Sequence, residues 1–563
     1  MSSEVACAWA LPTSIRLRTE RRYGAAVLLI AGLINLASAL THPAGTRLEL
    51  LVETVPLAVP RTASQVVALS GLALLGLARG VRRGQRHAWL VALVLLTLSA
   101  IGHLLKGGDV EEAAVALVAA AYLWRNRASF SAPPSNRPSI VRGLAFVAGA
   151  AVVSITLALA VVELDTDGEP RLPMGRAFLA VIQRLVGYTA IPVPGHHPFM
   201  RHVLLVVGAG LVTATVWVLT RPMVAWSNAQ EDRSVARDIV ERHGAGSLDF
   251  FALRDDKRHF FHGESLVAYA VVGGVCLVSP DPIGPAGERA EVWAAFREHA
   301  DQRGWPVAVM GAAQDWLDIY HASGMRTMYV GDEAVVDCDA FQLSGRRFKG
   351  LRQAVNRVRR YGYTVEFHDP AALAPPLRAQ LEAVMACGRR GEAERGFSMT
   401  LGRAFCPEDH GLLLAVCCDP EGVPVAFCRY VPAPGIGGWS LDLMRRSKDP
   451  APNGIIDFVV VETIAHLRER GDRSLALNFA TLRAVIADEM GDSLGTRAEK
   501  WLAQRLSASM QIESLWYFNS KYDPAWLPRY AAYDAPEHFA PAALALARAE
   551  GLSEIPVVGR LLT

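Results

Sequence analysis

Residues 437–446 read Gly-Gly-Trp-Ser-Leu-Asp-Leu-Met-Arg-Arg, and residues 452–458 read Pro-Asn-Gly-Ile-Ile-Asp-Phe. The first run predicts an apolar β-strand that ends on one carboxylate, Asp442, and two guanidiniums, Arg445 and Arg446. The second run predicts a turn that leads directly into a helix. A strand end that carries Asp and Arg can hold a reacting hydroxyl beside a phosphate. We therefore take Asp442 and Arg445 as candidate catalytic residues and Arg446 as a candidate substrate-binding residue.

The helix after this turn is expected over residues 454–470. Asn453 is a residue type that caps helix N-termini, and Gly471 suits the position just past the C-terminus. One face of the helix is apolar and is formed by Ile456, Val460, Ile464 and Leu467. A strand followed at once by an amphipathic helix indicates a mixed α/β or α+β domain around this stretch.

The composition divides the chain into two unlike parts. The 563 residues suffice for three or four domains, and the net charge of +2 says little about partners. The hydrophobic fraction of 51% and mean hydropathy of +0.22 are high for a soluble protein. The long apolar runs lie almost entirely in residues 1–225. We therefore expect a membrane domain over 1–225 and soluble domains over 226–563.

About six transmembrane helices are expected in the first part. The apolar runs lie at 24–40, 63–79, 87–105, 112–124, 142–163 and 201–220. Most approach the length of about 20 residues that crosses a bilayer, although the run at 112–124 is short. The stretch at 171–192 is a candidate re-entrant or interfacial piece. Near the end of the third run, His103 and Lys106 suggest a polar lipid pathway or, as we favour, snorkelling at the interface.

The loop charges predict the orientation of these helices. Three alternate loops are basic and carry Arg16, Arg18, Arg21 and Arg22, then Arg79, Arg82, Arg83 and Arg86, then Arg125, Arg127, Arg137 and Arg142. The other loops carry Asp and Glu. By the positive-inside rule the N-terminus is cytoplasmic, and six crossings place residue 226 onward there too. The sequence thus predicts a multi-pass protein of the cytoplasmic membrane with its soluble half in the cytoplasm.

The eight cysteines have no metal-ligand spacing, because none forms a Cys-x-x-Cys pair. We interpret them as reduced, mostly buried thiols, and we expect no metal site.

The soluble part alternates helix-like and strand-like segments in two similar halves, 226–340 and 341–563. In the second half, helices are expected at 347–361, 371–388, 454–470 and 496–509, and strands at 412–418, 423–431, 438–443 and 474–478. Two halves of the same style suggest a tandem repeat of one fold.

A basic helix is expected near the start of the second half. Residues 345–360 hold seven basic residues and no acidic one. Phe348, Leu351, Val355 and Val358 recur at helical spacing and would face a core. The basic side chains would then form a surface for a polyanion, with Lys349 and Arg352 as candidate substrate-binding residues. The sequence leaves anionic lipid and an RNA backbone open as the polyanion.

Three polar segments supply further candidates. Glu394 and Ser398 lie in a stretch without periodicity that suits the rim of an active site. Asn478 closes a probable strand. Residues 518–524 read Phe-Asn-Ser-Lys-Tyr-Asp-Pro and bring Lys521 together with aromatic residues. This last segment fits either base stacking or a loop packed by its own rings.

Taken together, these segments resemble the phosphatidylglycerol lysyltransferase family, also called the multiple peptide resistance factor family. The resemblance rests on Asp442–Arg445, Asn453–Phe458, Ser279–Pro285, Glu394–Ser398, Leu477–Ala480 and Phe518–Pro524, in family order across about 230–540. Asn478-Phe479-Ala480 is similar to the branch fused to a lysyl-tRNA synthetase. No synthetase module is expected here, since the sequence stops at Thr563.

The resemblance implies a fold and an activity. The fold would be an N-terminal α-helical multi-pass membrane domain followed by tandem GNAT-like acyltransferase domains, 226–340 and a catalytic 341–563. The activity would be transfer of an aminoacyl group from aminoacyl-tRNA to phosphatidylglycerol, with a change in lipid charge and in resistance to cationic peptides. Lysyl is favoured, although alanyl and arginyl are compatible. The family's membrane half is linked to lipid flipping, but its full-length members carry about twice as many spans as the six expected here, so the resemblance does not extend to flipping.

The expected reaction is a transesterification without cofactor, because the tRNA ester is already activated. Asp442 would orient or deprotonate the lipid hydroxyl and Arg445 would hold the lipid phosphate. Lys521 would stabilise the oxyanion or bind the terminal ribose-phosphate of the tRNA, and Glu394 would bind the amino acid's ammonium. Two alternatives remain: an aminoacyl-tRNA-dependent transferase for another lipid or a peptidoglycan precursor, and a lipid flippase with a regulatory cytoplasmic domain. A homo-oligomer is also open.

Overall fold

The computed structural model describes most of the chain as two compact units. The described residues are 13–40, 58–107, 109–132, 137–164, 172–186, 191, 198–220, 231–389, 396–447, 451–481 and 512–549. The first unit contains residues 1–226 with 298–305, and the second contains 227–297 with 306–563.

The first unit is helical. Its described helices are α1 (Thr13–Leu40), α2 (Ala58–Arg82), α3 (Arg86–Gly107), α4 (Val110–Arg125), α5 (Arg137–Leu164), α6 (Met174–Leu185) and α7 (Pro198–Leu219). All six predicted apolar runs fall in helices. Among the described residues, four helices contain segments long and apolar enough to cross a membrane, at Arg16–Ala39, Ala63–Arg82, Arg86–Lys106 and Val141–Val162. The apolar part of α7, Val203–Leu219, and the 16-residue α4 are shorter. Six crossings and their orientation stay predictions.

Helices α1 and α2 approach each other closely through glycine. A Cβ atom added to Gly32 would lie 2.9 Å from the carbonyl oxygen of Gly71, and one added to Gly71 would lie 2.8 Å from that of Gly32. A larger side chain at either position would therefore push the two helices apart.

The interpretation of Lys106 as a snorkelling residue is wrong. Lys106 and His103 are both buried, with 3% and 0% exposure. The Lys106 ammonium donates to the carbonyl oxygen of Ser38 and, at 3.0 Å, to its hydroxyl. A His103 ring nitrogen lies 2.9 Å from the side-chain oxygen of Asn35. These side chains join α1 to α3 because a buried polar group needs a partner.

The second unit is built on one 11-stranded sheet. Its strands are β1 (Arg258–His262), β2 (Ser265–Val272), β3 (Val275–Val278), β4 (Val307–Ala312), β5 (Arg326–Asp337), β6 (Thr364–His368), β7 (Leu413–Cys418), β8 (Pro424–Ala433), β9 (Gly438–Arg446), β10 (Ser474–Thr481) and β11 (Ala525–Tyr533). The described helices that lie wholly or mostly in this unit are α8 (Glu231–His243), α9 (Arg289–Gln302), α10 (Leu317–Ala322), α11 (Lys349–Arg360), α12 (Pro375–Arg389), α13 (Ile455–Arg470), α14 (Ile512–Ser520) and α15 (Pro536–Ala549).

The strand order is β1-β2-β3-β4-β11-β5-β10-β9-β8-β7-β6. Each half has an antiparallel meander whose last strand runs parallel to the strand after the next helix: β3 pairs with β4, and β9 pairs with β10. The last strand of each half pairs with a strand of the other half: β5 pairs with β10, and β11 pairs with β4. The predicted boundary near residue 340 therefore falls within a shared sheet. This repeated pattern supports the division into two tandem repeats, which stays a prediction.

Both faces of the second half are covered. On one face, Leu351, Val355 and Val358 of α11 pack with Phe458 and Ile464 of α13 in the same core. On the other face, Leu381 and Val384 of α12 pack with Leu443. The apolar face predicted for the basic helix is thus confirmed, although that helix begins at Lys349 rather than at residue 347. The helix predicted at 496–509 lies outside the described residues.

The predicted start of α13 needs a correction. The N-cap residue is Gly454, with φ +102°, and no side chain caps the helix, so Asn453 does not have the expected role. A Cβ atom at position 454 would lie 2.8 Å from that of Ala354 on α11, so glycine permits both the backbone turn and the close helix contact. The C-terminus ends as predicted: Gly471 has φ +85°, and its N–H donates back to α13.

Candidate active site

Strand β9 contains a β-bulge at Asp442. Tyr430 of β8 pairs with Leu441 and Arg429 pairs with Leu443, which leaves Asp442 as the extra residue. An extra residue resets the alternation of side chains along a strand. As a result, Asp442 lies on the face of Arg429, and the register places Arg445, opposite Phe427, on that face as well.

Asp442 is buried, and both of its carboxylate oxygens have partners. Oδ1 accepts the backbone N–H of Leu401 at 2.9 Å, and Oδ2 accepts the Arg429 guanidinium through Nε at 2.6 Å. Burial raises the pKa of the Asp442 carboxyl, and the charge of Arg429 opposes this rise. The cation that pairs with Asp442 is therefore Arg429. The protein itself thus binds this carboxylate from two sides, through the loop and through β8.

The ion pairs continue from Arg429 into the loop at 396–410. Arg403 donates to Asp409 through Nη2 at 2.6 Å and to the carbonyl oxygen of Leu253 at 2.9 Å. Arg429 in turn donates to the carbonyl oxygen of Arg403 at 2.5 Å. Both Asp409 and Arg429 are almost fully buried. This network, with Asp442 at its end, fastens the loop to the sheet and to the first half of the unit.

The two arginines after Asp442, Arg445 and Arg446, lie on opposite faces of the sheet. Arg446 pairs with Ala426, whose side chain belongs to the core under α11 and α13, while Arg445 follows the opposite face. Arg445 is half-buried and its Nη1 donates to the carbonyl oxygen of Met444 at 2.9 Å. Arg446 is exposed. The two guanidiniums therefore do not form one phosphate clamp on β9.

Lys521 lies in a second, more accessible cluster. Its ammonium donates to both carboxylate oxygens of Asp457, at 2.9 and 3.0 Å. The hydroxyl of Tyr522 donates to Oδ1 of Asp457 at 2.8 Å. The Lys521 side chain is 42% exposed, whereas that of Asp457 is 12% exposed. Burial and the Asp457 charge raise the pKa of Tyr522 well above its ordinary value, so its hydroxyl stays a donor.

Two elements place this cluster beside the basic helix. Asp457 belongs to the first turn of α13, which packs against α11 at Gly454 and Ala354. Past Lys521, the carboxylate of Asp523 forms an ion pair with Arg347 at 2.7 Å. A cation that is anchored at one side and open at the other can meet an anionic substrate or a developing negative charge.

The remaining predicted residues are placed differently. Lys349 is exposed, whereas Arg352 is half-buried and donates to the carbonyl oxygens of Leu343 and Gly345, which holds the turn before α11. Ser398 is fully buried. Asn478 falls in the irregular part of β10 between Ala476 and Phe479, and its side chain lies outside the described residues, as does all of Glu394.

Sequence reasoning missed Asp457, Tyr522 and Arg429. Asp457 lies in the motif at 452–458 and Tyr522 in the motif at 518–524. A carboxylate in the first turn of a predicted helix could have identified Asp457 as a candidate. Arg429 had none, because its partner becomes visible only when β8 and β9 are paired. Across the described residues, no group of three or more His, Cys, Asp or Glu side chains is arranged to hold a metal ion.

Comparison with known proteins decides the family. Residues 237–533 match the family described as phosphatidylglycerol lysyltransferase, C-terminal, and the match covers more than half of the chain. The chain belongs to the phosphatidylglycerol lysyltransferase family. The predicted family is confirmed, and with it the transferase class. The described elements also show the predicted order of a helical part followed by a mixed α/β part.

Two of the similar proteins come from mycobacteria. This chain is 33% identical over 505 residues to the lysylphosphatidylglycerol biosynthesis bifunctional protein LysX of Mycobacterium bovis. The aligned region covers 86% of this chain and 42% of the relative. The chain is also 34% identical over 437 residues to LysX of Mycobacterium avium, covering 75% and 36%. The chain thus spans less than half the length of these relatives. The structure of L-PGS from Bacillus licheniformis, 28% identical, superposes with a TM-score of 0.51 over 58% of this chain and 99% of that one.

Proposed function

We propose that this chain transfers an aminoacyl group from aminoacyl-tRNA to a hydroxyl of phosphatidylglycerol at the cytoplasmic face of the membrane. Family membership supports the lipid acceptor and the transfer. Lysyl is the first candidate for the group transferred because the relatives are named for lysylphosphatidylglycerol biosynthesis. Aminoacyl-tRNA as the donor comes from the sequence resemblance alone. The cluster of Lys521, Asp457 and Tyr522 is the observation that carries the site.

The reaction balances without an external reactant. The glycerol oxygen of the lipid attacks the carbonyl carbon of the aminoacyl ester, and the bond from that carbon to the terminal ribose oxygen of the tRNA breaks. The proton of the glycerol hydroxyl ends on the ribose oxygen. One ester bond replaces another, so nothing is oxidised or reduced.

In this scheme Lys521 stabilises the negative charge that develops on the carbonyl oxygen, or holds the terminal ribose-phosphate. Asp457 and Tyr522 keep its ammonium in place, so little reorganisation is needed during the reaction. Loss of one positioned donor to an oxyanion costs about 10²–10³ in kcat.

The other predicted residues are assigned roles as follows. Arg445 holds the lipid phosphate. Asp442 acts as a positioning residue, because it holds the loop at 396–410 through Leu401 and Arg429. As the sequence resemblance implies, Glu394 binds the ammonium of the amino acid, and Ser398 and Asn478 stay candidates for substrate binding.

The test is reconstitution of the full chain in phosphatidylglycerol micelles with lysyl-, alanyl- or arginyl-tRNA, followed by mass spectrometry of the extracted lipid. We expect an aminoacyl-phosphatidylglycerol that requires charged tRNA. A product on another lipid or on a peptidoglycan precursor would favour that class of acceptor. No product from any charged tRNA, with the chain folded, would reject the proposal and leave a transport role.

A further inference from the structure

The turn at residues 396–402 belongs to the second half in sequence, but its apolar side chains pack against the first half. Phe397 is 1% exposed and shares a core with side chains of β2, β3 and β4. Leu401 is 0% exposed and shares another core with side chains of α8, β2 and residues 248–253. Both apolar anchors of this turn therefore depend on elements of the first half.

Arg254 of the first half binds the same turn through hydrogen bonds. Its Nη1 donates to the carbonyl oxygens of Gly396 and Thr400, at 3.0 and 3.2 Å, and to the Thr400 hydroxyl at 3.1 Å. Its Nε donates to the carboxylate of Asp256 at 2.8 Å, and its side chain is 11% exposed. The planar guanidinium is thus held on one edge by its own segment and holds the turn with the other.

The backbone of the turn leaves room for this guanidinium. Gly396 and Gly402 have φ of +116° and +73°, in the region that favours glycine. A Cβ atom added to Gly402 would lie 3.1 Å from Cζ of Arg254, so a larger side chain there would meet the guanidinium. The two glycines therefore let the chain curve closely around Arg254.

The turn also binds Asp442 of β9. The N–H of Leu401 donates to Oδ1 of Asp442 at 2.9 Å, and Leu401 directly follows Thr400, which Arg254 holds. Asp442 lies on the same face of β9 as Arg445. Arg254 and Asp442 thus hold adjacent residues of one turn from the two halves of the sheet.

We infer that Arg254 is a positioning residue for the transfer reaction, because it fixes the turn at 396–402 against Asp442. The inference rests on the proposed function for the reaction itself. In this arrangement the first half completes the candidate site without touching a substrate, since it holds a loop of the second half in place. A displacement of about 1 Å in such a support can cost about 10² in rate.

The test makes two measurements on the full chain in phosphatidylglycerol micelles, with Arg254→Ala as the variant. Hydrogen exchange with mass spectrometry follows the turn, and transfer assays give kcat and KM for phosphatidylglycerol. We expect amide exchange within 396–402 to be on the order of tenfold faster, because hydrogen bonds that hold the turn are lost. We expect kcat to fall by about 10- to 10²-fold while KM changes little.

The matched control is Arg233→Ala. Arg233 forms an ion pair with Asp255 at 2.9 Å, so the control removes an arginine that binds the same segment as Arg254. The control should keep the parental exchange in the turn and the parental kcat. If Arg254→Ala does not fold, Thr400→Val takes its place, because it removes one acceptor of Arg254 and should produce a smaller effect of the same kind.

A rescue experiment separates positioning from a general loss of stability. Guanidinium ions at millimolar concentration, far below those that unfold proteins, should restore part of kcat in Arg254→Ala. They should not raise kcat in the parent chain. The free ion can occupy the position of the missing side chain, whereas a destabilised fold gains nothing from a denaturant.

Parental exchange in the turn, or a parental kcat in the folded variant, would overturn the inference. So would a loss of kcat that guanidinium does not restore and that Arg233→Ala shares. The two proposals fail in different experiments. A parent chain that transfers nothing would reject the proposed function, and hydrogen exchange would still show whether Arg254 holds the turn. An active chain whose turn and kcat ignore Arg254 would reject only this inference.

Discussion

Asp457 holds the ammonium of Lys521 with both carboxylate oxygens, at 2.9 and 3.0 Å, while Lys521 itself stays 42% exposed. The two residues are 64 positions apart in the sequence. One lies in the first turn of α13 and the other just after α14. The pair thus fixes a cation at the surface from two separate elements, as a positioned electrostatic group requires.

Asp457→Asn should lower kcat by up to about 10²-fold, because a misplaced catalytic group loses its productive geometry. KM for phosphatidylglycerol should change little. Steady-state transfer assays measure both constants. Asp457→Glu should recover part of kcat, since it restores the carboxylate. A kcat that is equally low in the Glu variant, or a change confined to KM, would contradict positioning of Lys521.

Asp442→Leu should destabilise the second unit, because it leaves the buried Arg429 guanidinium without its main partner. The cost of breaking a buried pair is about 3–5 kcal/mol. The double variant Arg429→Met/Asp442→Leu should recover most of this stability. Chemical unfolding followed by fluorescence measures the effect, and a double variant no more stable than Asp442→Leu would refute the pairing.

The substitution Asp442→Asn distinguishes two roles for Asp442, general base and positioning residue. The amide keeps an oxygen for Leu401, so we expect transfer to fall by less than about tenfold, whereas loss of a general base costs about 10²–10⁴. Transfer rates at saturating substrate decide between the two. A loss of 10³-fold in a folded Asn variant would restore Asp442 to the role of base.

Gly454→Ala should destabilise α13 more than Gly471→Ala at its other end. Both glycines have positive φ, +102° and +85°, but only position 454 meets a neighbour, the Cβ of Ala354 at 2.8 Å. A left-handed backbone alone costs about 1–2 kcal/mol for a non-glycine residue. Melting temperatures compare the two variants. Because Asp457 lies in the first turn, Gly454→Ala should also slow transfer. Equal effects of the two substitutions would refute the close contact.

Asp281 should make stability depend on pH. Burial raises its pKa to about 7, despite a hydrogen bond from Tyr320. The unfolded value is about 3.9, so the folded state binds the proton more tightly. The stability gained is full below about pH 4 and is lost as the pH rises through about 7. The melting temperature should therefore fall less between pH 5 and 8 in Asp281→Asn than in the parent chain. Parallel curves would show that Asp281 is not protonated in the folded state.

Many of the helices and strands were predicted from the spacing of apolar residues along the sequence. The strand at 438–443 and the helix at 454–470 lie where periodicity predicted them, because burial on one face dictates the spacing of apolar residues. The exchange of β5 and β11 did not follow, since it joins segments almost 200 residues apart. No strand was predicted at residues 525–533, which form the central strand β11.

The candidate site depends on pairs of residues that the sequence does not join. Lys521 and Asp442 were singled out as candidates from the sequence, but their partners Asp457 and Arg429 were not. A period of two places Asp442 and Arg445 on opposite faces, and only the bulge at Asp442 changes this. Bulges and distant ion pairs depend on strand register, which a single sequence does not contain.

The most direct test follows label from lysyl-tRNA into extracted lipid by the full chain in phosphatidylglycerol micelles. Lys521→Ala is compared with the parent chain and with Arg378→Ala, an exposed cation of α12, as control. The account predicts labelled lysyl-phosphatidylglycerol from the parent and the control, and a rate at least about 10²-fold lower from Lys521→Ala with unchanged melting temperature. A parental rate from Lys521→Ala would contradict the assignment of this cluster as the active site.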